Sequence, residues 1–523
     1  MTISDDQLLA SLGYKQEFKR AFTPLEVFGL GFSIIGLIPS IASVLVFALP
    51  SGGASALVWG WATCAFFLTF IALAMADLGS AMPTSGGLYY WTYKYSSPRW
   101  RTLLCWIVGY TNTITNVACM ASVDWGCAVQ IGAAASIGTN MSFSPTTSQT
   151  YGIFVAIMFT HGLVCSMGTK VIARLQRVWI LLNVCLIFAV IIGLPAATPK
   201  EFKNTAKFAF GDFENFNGWP SGYAFILSFL APLWAIGAFD STLHISEEAT
   251  NASIAVPWAM ISACGISSIL GWGVNVALAF NMGTDMEAIL SSPIEQPLAT
   301  IFFNSFGQKG TLALWSFIVI AQYMMGASFL TASSRQTFAF ARDGALPFSR
   351  FIYKVNKHTL SPVNAVWCTA FLSLLLALLA FAGAAAIGAV FSLAVIGQYL
   401  AYSIPISARF LGGQPFTPGP FNLGVFSLPV AIIAVTWMTF MSLVFLFPTS
   451  PAPEAQVMNY SIVVLGGILV LSVIYFYFPK YGGVYWFKGP VTTIEHVPGD
   501  ESEESRGSLE KRPASTQGSG EKA

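Results

Sequence analysis

The most constraining feature of this sequence is a succession of apolar runs of roughly 20 residues, the length that a helix needs to cross the hydrocarbon core of a bilayer. Only 9% of the 523 residues are charged, whereas soluble domains carry about 25%, so lipid must solvate much of the surface. The runs predict an all-α membrane protein with twelve transmembrane helices. The predicted spans are 27–49, 54–76, 103–133, 151–167, 175–194, 222–244, 257–280, 311–334, 362–383, 384–407, 428–447 and 458–478.

The distribution of Lys and Arg sets the orientation of these spans, because cytoplasmic loops of membrane proteins carry an excess of both. With the N-terminus inside, only Lys200, Lys203, Lys207 and Lys309 of the 25 Lys and Arg residues lie outside. Both termini are therefore predicted to be cytoplasmic. The sequon at Asn140 then faces outward and is predicted to carry a glycan.

This topology divides the chain into five parts. They are a cytoplasmic N-terminal segment (1–26), a first five-helix set (27–194), a second five-helix set (222–407), a final helix pair (428–478) and a cytoplasmic tail (479–523). The tail is rich in Ser, Glu, Lys, Pro and Gly, a composition typical of disorder. Its Lys511 and Lys522 are candidate acceptors for the ubiquitin machinery, although many such tails are simply solvated ends.

The first and sixth spans contain Gly and Pro interruptions, and these spans open the two five-helix sets. One reads Gly36-Leu37-Ile38-Pro39, and the other carries Ile236-Gly237-Ala238 after Pro232. Paired breaks at matching places indicate a substrate site at the membrane midplane, because unwound backbone exposes N–H and C=O groups that a ligand can satisfy. A single break is equally compatible with an ordinary kink. The pair favours a transporter.

Few ionisable residues lie within the spans, where each is costly and commonly functional. Asp124 lies in the third span, and Asp240 follows the break in the sixth. Glu247 and Glu248 end the sixth span and are candidates for an inner gate, although a solvated helix end is the simpler explanation.

The remaining reactive side chains suggest no chemistry. His161 and His244 are isolated, and each is interpreted more simply as a packing residue than as a proton carrier. The eight cysteines lie in apolar segments without a CxxC pair, so neither a disulfide framework nor a metal site is expected. No basic run suggests a nucleic-acid partner, and no set of nucleophile and base lies near the membrane surface. The sequence predicts neither an enzyme nor a cofactor.

Two long motifs of this sequence resemble those of a known protein superfamily. Residues 77–90 (DLGSAMPTSGGLYY) and 334–347 (SRQTFAFARDGALP) resemble the signatures that follow helices two and eight in the amino acid–polyamine–organocation superfamily. Within it, the chain most resembles the fungal GABA and choline permeases, and the GABA permeases look closer. The stretches that carry this resemblance are residues 6–10, 13–17, 32–43 and 234–248. The resemblance as a whole runs from residue 5 to residue 489. It implies the LeuT-type fold, in which two inverted five-helix repeats precede two extra helices.

The resemblance implies that the two breaks bind the substrate. They contribute Gly36, Leu37, Ile38, Ile236, Gly237 and Ala238 to the expected site. The family binds a substrate carboxylate at the first three positions. This chain has Gly-Leu-Ile-Pro where Gly-Ser-Gly is frequent in the superfamily, a departure that preserves capture by the backbone but changes the local side chains.

The resemblance also bears on coupling. Trp234 and Asp240 match a Trp and an acidic residue of the bacterial arginine–agmatine exchanger, whose acid is implicated in gating or proton coupling. Proton-coupled relatives often carry a Lys midway along helix five, where this chain has Asn183. We expect proton symport with Asp240 as the titrating group and Glu247 as part of a gate.

Asp124 aligns with a helix-three position that contacts substrate in the same exchanger, counting from Gly109 and Tyr110. An ω-amino acid needs an anion for its ammonium several ångströms from the group that holds its carboxylate. Asp124 is predicted to supply that anion. The alternative is an Asp paired structurally with neighbouring helices.

The expected function is that of a secondary active permease that imports a small zwitterionic amine, GABA or another amino acid, together with protons. The plasma membrane is the expected location, with the vacuolar membrane as the alternative. A choline or polyamine permease on the same fold is the rival function, and a nutrient receptor without flux is a third.

Overall fold

The computed structural model describes residues 4–452 and 458–494. The main helices in chain order are α1 (Pro24–Ala48), α2 (Gly53–Ala81), α3 (Arg101–Gly138), α4 (Thr147–Ser166), α5 (Thr169–Ala197), α6a (Ser221–Ala235), α6b (Ser241–His244), α7 (Ala252–Asn281), α8 (Pro297–Arg342), α9 (Val363–Ala382), α10 (Ala384–Leu411), α11 (Gly424–Val444) and α12 (Ser461–Tyr477). All except α6a, α6b and α12 are long and apolar enough to cross a membrane, which makes ten candidate spans in the described residues. Shorter helices occupy Asp5–Ser11, Gly87–Tyr95, Ala206–Gly211, Met286–Leu290, Ser349–Ile352 and Gly483–Trp486.

The predicted spans agree with these helices in position and differ in length. The apolar helices α6a and α12 lie where the sixth and twelfth spans are predicted, but each is shorter than the ten candidate spans. Helix α3 covers 101–138 instead of 103–133, and α8 continues past 334 to Arg342. The non-helical Gly307 separates the first part of α8 from the part that covers the predicted 311–334. Hydropathy underestimates these lengths because polar helix ends at a membrane surface remain helical without being apolar.

The backbone breaks in α1 and between α6a and α6b lie at the predicted places. Gly36 divides α1 with a left-handed conformation (φ 43°, ψ 63°), which glycine adopts without a steric penalty. Residues 236–240 connect the two parts of α6, and Ala238 there also has a positive φ of 58°. A left-handed alanine is strained, and such strain commonly marks a functional segment.

The broken helices lie at the centre of the bundle. In its most apolar stretch α1 is 89% buried, whereas α5 is only 28% buried and faces outward to lipid. Helix α6a packs against the second half of α1, and α6b packs against the first half and against α8. Helix α3 in turn packs against α8 and α10, so these helices enclose both breaks.

The two ends of the described chain meet on one face of the bundle, here called the terminal face. Phe22 forms a bridge with Ala249 just after α6b, and the Asp5 carboxylate accepts hydrogen bonds from backbone N–H groups at the start of α7. The Thr493 N–H donates to the Gly13 carbonyl at 2.9 Å. Both end segments therefore lie on the same side.

The predicted disorder of the tail, with its candidate acceptors Lys511 and Lys522, concerns residues 495–523, which lie outside the described residues. The division into five parts stays a prediction.

Candidate functional site

A small enclosed cavity lies at the two backbone breaks. Helices α1, α3, α6a, α8, α10 and the segment between α6a and α6b contribute its walls. The lining residues are Ile34, Cys119, Val123, Trp234, Gly237, Ala238, Met325, Phe329, Ala394, Val395 and Gln398. Its volume is about 20 Å³, which is room for about one water molecule. The structure is thus closed around this point, and a ligand the size of an amino acid needs the walls to move apart.

The cavity brings together part of the predicted site. Trp234, Gly237 and Ala238 line it, as predicted for the break in α6. Gly36, Leu37, Ile38 and Ile236 are buried at the breaks but are not part of the lining. Gly36 packs against Met325 of the lining, because a Cβ on Gly36 would lie 3.1 Å from the Met325 sulfur.

Asp124 lies behind the cavity wall and is fully buried. Its Oδ2 is 2.9 Å from Nδ1 of His161, and Nε2 of His161 is 2.9 Å from the Tyr323 carbonyl. A carbonyl only accepts, so Nε2 carries a hydrogen, and the short Nδ1–Oδ2 contact then holds one further proton. Gly326 allows the pair to fit, because a Cβ there would overlap Asp124 Oδ1 and the His161 ring. The role of Asp124 as an ammonium ligand stays a prediction, and its carboxylate faces away from the cavity here.

Asp240 lies directly below the break, 3% exposed. Its Oδ1 accepts a hydrogen bond of 2.6 Å from the Tyr402 hydroxyl, and its Oδ2 is 3.4 Å from Nε2 of His244. His244 Nδ1 is 3.0 Å from the Ser85 carbonyl and therefore carries a hydrogen. His244, interpreted from sequence as a packing residue, is thus a direct neighbour of the predicted titrating group.

Two buried ion pairs join the end of α6 to α8 between the cavity and the terminal face. Arg342 donates to both carboxylate oxygens of Glu247 at 3.0 and 3.1 Å, and Arg335 donates to Glu248 at 2.7 Å. All four side chains are almost completely buried. The Ser85 N–H also donates to Glu247. The glutamates are therefore not solvated helix ends; they hold α6b against α8.

The N-terminal segment and the residues after α12 cover these ion pairs. The Tyr14 ring lies 3.9 Å from the Arg342 guanidinium carbon, a cation–π contact. Tyr14 and Tyr89 hydroxyls and the Val491 N–H all donate to Asp343. Burial raises the pKa of Asp343 to about 6, so this carboxylate remains mostly ionised at a neutral pH of about 7 and can accept all three bonds.

On the face opposite the terminal face, a wide vestibule of about 450 Å³ leads toward the breaks. Its walls include Phe47 at the end of α1 and the first turns of α10. The Phe391 ring packs against the rings of both Phe47 and Trp234, with centroids 5.3 and 5.1 Å apart. This single aromatic layer separates the vestibule from the cavity. Toward the vestibule, these aromatic rings close the cavity. Toward the terminal face, two ion pairs and the covering end segments close it.

Comparisons with known proteins identify the family. The sequence model described as "Amino acid permease" matches residues 22–468. The chain belongs to the amino acid permease family. A GABA-specific permease of Saccharomyces cerevisiae is 39% identical over 501 residues, which are 94% of this chain and 87% of that protein. An uncharacterized amino-acid permease of Schizosaccharomyces pombe is 40% identical over 492 residues, 94% of this chain and 89% of that protein. Amino-acid permease 2 of Neurospora crassa is 32% identical over 495 residues, 94% and 90% of the two chains.

Membership of the amino acid permease family confirms the superfamily resemblance and the prediction of a transporter instead of an enzyme. The protein is an integral multi-pass membrane protein that transports amino acids. The sequence singled out the breaks and Asp240 but missed His244, Arg335, Arg342 and Gln398 as site residues. Both arginines lie in the 334–347 motif, and two adjacent carboxylates lie at the end of α6. These two cations and two anions were the sequence signal that could have predicted the ion pairs.

Proposed function

We propose that this amino acid permease imports GABA or a closely similar ω-amino acid. The cavity at the paired breaks carries the proposal, because it joins unwound backbone to an enclosed, largely apolar lining. The relative named as a GABA-specific permease supports the choice of substrate, since its similarity covers 94% of this chain. Choline and polyamines on the same fold remain the rival substrates.

A competition panel tests this substrate. We expect uptake of labelled GABA in cells that lack endogenous permeases, inhibited by excess unlabelled GABA and other ω-amino acids. Choline, putrescine, proline and bulky amino acids should compete weakly. Uptake of labelled choline or putrescine in preference to GABA would establish the rival function, and no uptake of any panel member would point to a receptor.

The predicted role of Asp124 requires its carboxylate to turn from His161 toward the opened cavity. We expect Asp124→Asn to keep the fold, because the Asn amide can still donate to His161 Nδ1. GABA uptake should fall about tenfold or more relative to any accepted α-amino acid, the usual effect of losing a charged hydrogen-bond partner. His161→Gln is the matched control, since it frees Asp124 without removing it. Equal losses for both substrates would assign Asp124 a structural role.

The proposed topology has twelve spans, with α6a plus α6b and α12 completing the ten longer helices. The terminal face would be cytoplasmic and the vestibule external, in agreement with the distribution of Lys and Arg. Asn140 is exposed just after α3, and the proposed orientation would make its side external, where a glycan can attach. Digestion with an endoglycosidase should lower the apparent mass of the protein, and Asn140→Gln should lower it by the same amount without digestion. An undigested Asn140→Gln variant with the same apparent mass as the undigested wild-type protein would show that Asn140 carries no glycan.

Transport would proceed by alternating access at the plasma membrane. The structure has an open vestibule and closed ion pairs, so the next step would be opening of the aromatic layer to admit substrate, followed by its closure and release of the ion pairs. Proton symport is supported by the Asp240–His244 contact directly under the cavity. The proposed ubiquitin acceptors lie beyond the described residues.

A further inference from the structure

Gln398 on α10 has a side-chain oxygen that faces the cavity. The residue is 5% exposed, and its amide N–H group is 3.6 Å from the Cys119 sulfur. Its Oε1 lies beside the break, 3.1 Å from where a Cβ on Gly237 would be. Within residues 4–452 and 458–494, no protein donor hydrogen-bonds this oxygen. The oxygen borders the cavity, whose volume of about 20 Å³ is room for one water molecule, so a water or a ligand that displaces it can donate to this oxygen.

The other polar side chains of the lining have partners among the described residues. The Trp234 indole N–H donates to the Ser122 hydroxyl at 3.1 Å, and the Cys119 sulfur faces the Gln398 amide. The Gln398 oxygen is therefore the side-chain acceptor that the cavity leaves open.

The lining of the described cavity contains no carboxylate and no basic side chain. The two nearest acids belong to other contacts: Asp124 faces His161, and Asp240 faces Tyr402 and His244. A net cation enclosed here would lack a counter-charge, which is unfavourable in a site without water. A zwitterion brings its own counter-charge and needs only dipoles at its two ends.

We propose that the Gln398 Oε1 accepts a hydrogen bond from the substrate amine and that the uncharged lining restricts the cavity to zwitterions without net charge. The inference rests on the proposed amine-transport function and is the alternative to an ammonium ligand at Asp124, because that carboxylate would bring a negative charge into the lining. A loss of GABA uptake in Asp124→Asn that spares α-amino acids would overturn it. It accounts physically for exclusion of choline and polyamines, which carry charge without a carboxylate. It also explains why a carboxamide, not a carboxylate, stands at this position of α10.

The full-length Gln398→Glu variant tests the proposal. The carboxylate supplies one counter-charge, which neutralises a monocation, so we expect uptake of labelled choline to rise well above that of the unmodified protein. Putrescine is a dication that would keep one uncompensated charge, so its uptake should rise less. GABA uptake should fall about tenfold or more, because the closed site with its bound zwitterion then carries the net negative charge of the Glu side chain. Gln398→Leu is the matched control of similar volume: it should lose GABA uptake without gaining cation uptake. Unchanged selectivity in Gln398→Glu, or normal GABA uptake in Gln398→Leu, would overturn the proposal.

A second measurement does not depend on a variant that folds. In the unmodified protein, GABA methyl ester and 1-butylamine are cations that resemble GABA without its carboxylate charge. Each should inhibit GABA uptake about a hundredfold more weakly than unlabelled GABA. Inhibition as strong as that of GABA would overturn the selectivity argument and leave the transport function standing. Absence of GABA uptake in the unmodified protein would instead contradict the proposed function itself.

Discussion

Arg342→Met is expected to abolish substrate accumulation and to destabilise the closure at the terminal face by about 3–5 kcal/mol, the usual cost of removing one partner of a buried ion pair. Arg342 donates to both oxygens of Glu247, and the two side chains are 0% exposed. Without it, the Glu247 carboxylate keeps, within the described part of the chain, the hydrogen bond from the Ser85 N–H. Separation of α6b from α8 would rehydrate that carboxylate, so the state open at the terminal face should dominate.

Labelling of a cysteine introduced by Ser246→Cys measures this opening. Ser246 is 1% exposed in the closed structure, so a membrane-impermeant maleimide applied at the terminal face should react slowly. Adding Arg342→Met should raise the labelling rate severalfold, and protein without Ser246→Cys gives the background from native cysteines. A labelling rate equal to that of the single Ser246→Cys variant would show that the ion pair does not close the gate.

Two controls separate gating from a general loss of charge. Asp6→Asn removes one partner of the exposed Asp6–Arg20 pair, in which Asp6 is 72% exposed. Exposed pairs contribute about 0–1 kcal/mol, so uptake should remain near normal. The combination of Arg342→Met with Glu247→Met removes both buried charges and should restore closure more fully than Arg342→Met alone.

The backbone of the site was predictable because glycine and proline act locally. Gly36 divides α1 where the sequence indicates, and the chain is non-helical around Gly237. Span positions were predictable for a similar reason, since apolar length follows from the bilayer. The exact ends of α3 and α8 were not, because interfacial helix ends lack a hydropathy signal.

Side-chain partners could not be predicted from local patterns. Asp124 and His161 are 37 residues apart, and Glu247 and Arg342 are 95 apart, so their pairing depends on how the helices pack. Gln398 is one amide in an apolar run, and no motif distinguishes it. Only the closed cavity shows that its oxygen has no protein donor.

The proposed proton site at Asp240 gives the second large expected effect. Asp240→Asn should make GABA uptake insensitive to external pH and to a protonophore, while exchange of internal for external GABA continues. The reason lies in the count of hydrogens: His244 Nδ1 donates to the Ser85 carbonyl, and Nε2, which has no hydrogen-bond partner among the described residues, lies 3.4 Å from Asp240 Oδ2. One added proton would therefore join the two groups. An Asn amide donates permanently at this place and mimics the protonated pair.

The size of the effect follows from the gradient that the variant can no longer use. One pH unit can support about a tenfold accumulation of a neutral zwitterion symported with one proton, so accumulation in Asp240→Asn should fall to equilibration.

Tyr402→Phe is the matched control, because it removes the hydroxyl on Oδ1 and leaves the Oδ2–His244 contact intact; it should keep pH-dependent uptake. The Cys119 thiol is the further titratable neighbour of Asp240, and Cys119→Ser should behave likewise. Ser85 also donates its N–H to Glu247, so this residue contacts both the His244 ring and the ion pair with Arg342. Retained pH dependence in Asp240→Asn would place the proton site elsewhere.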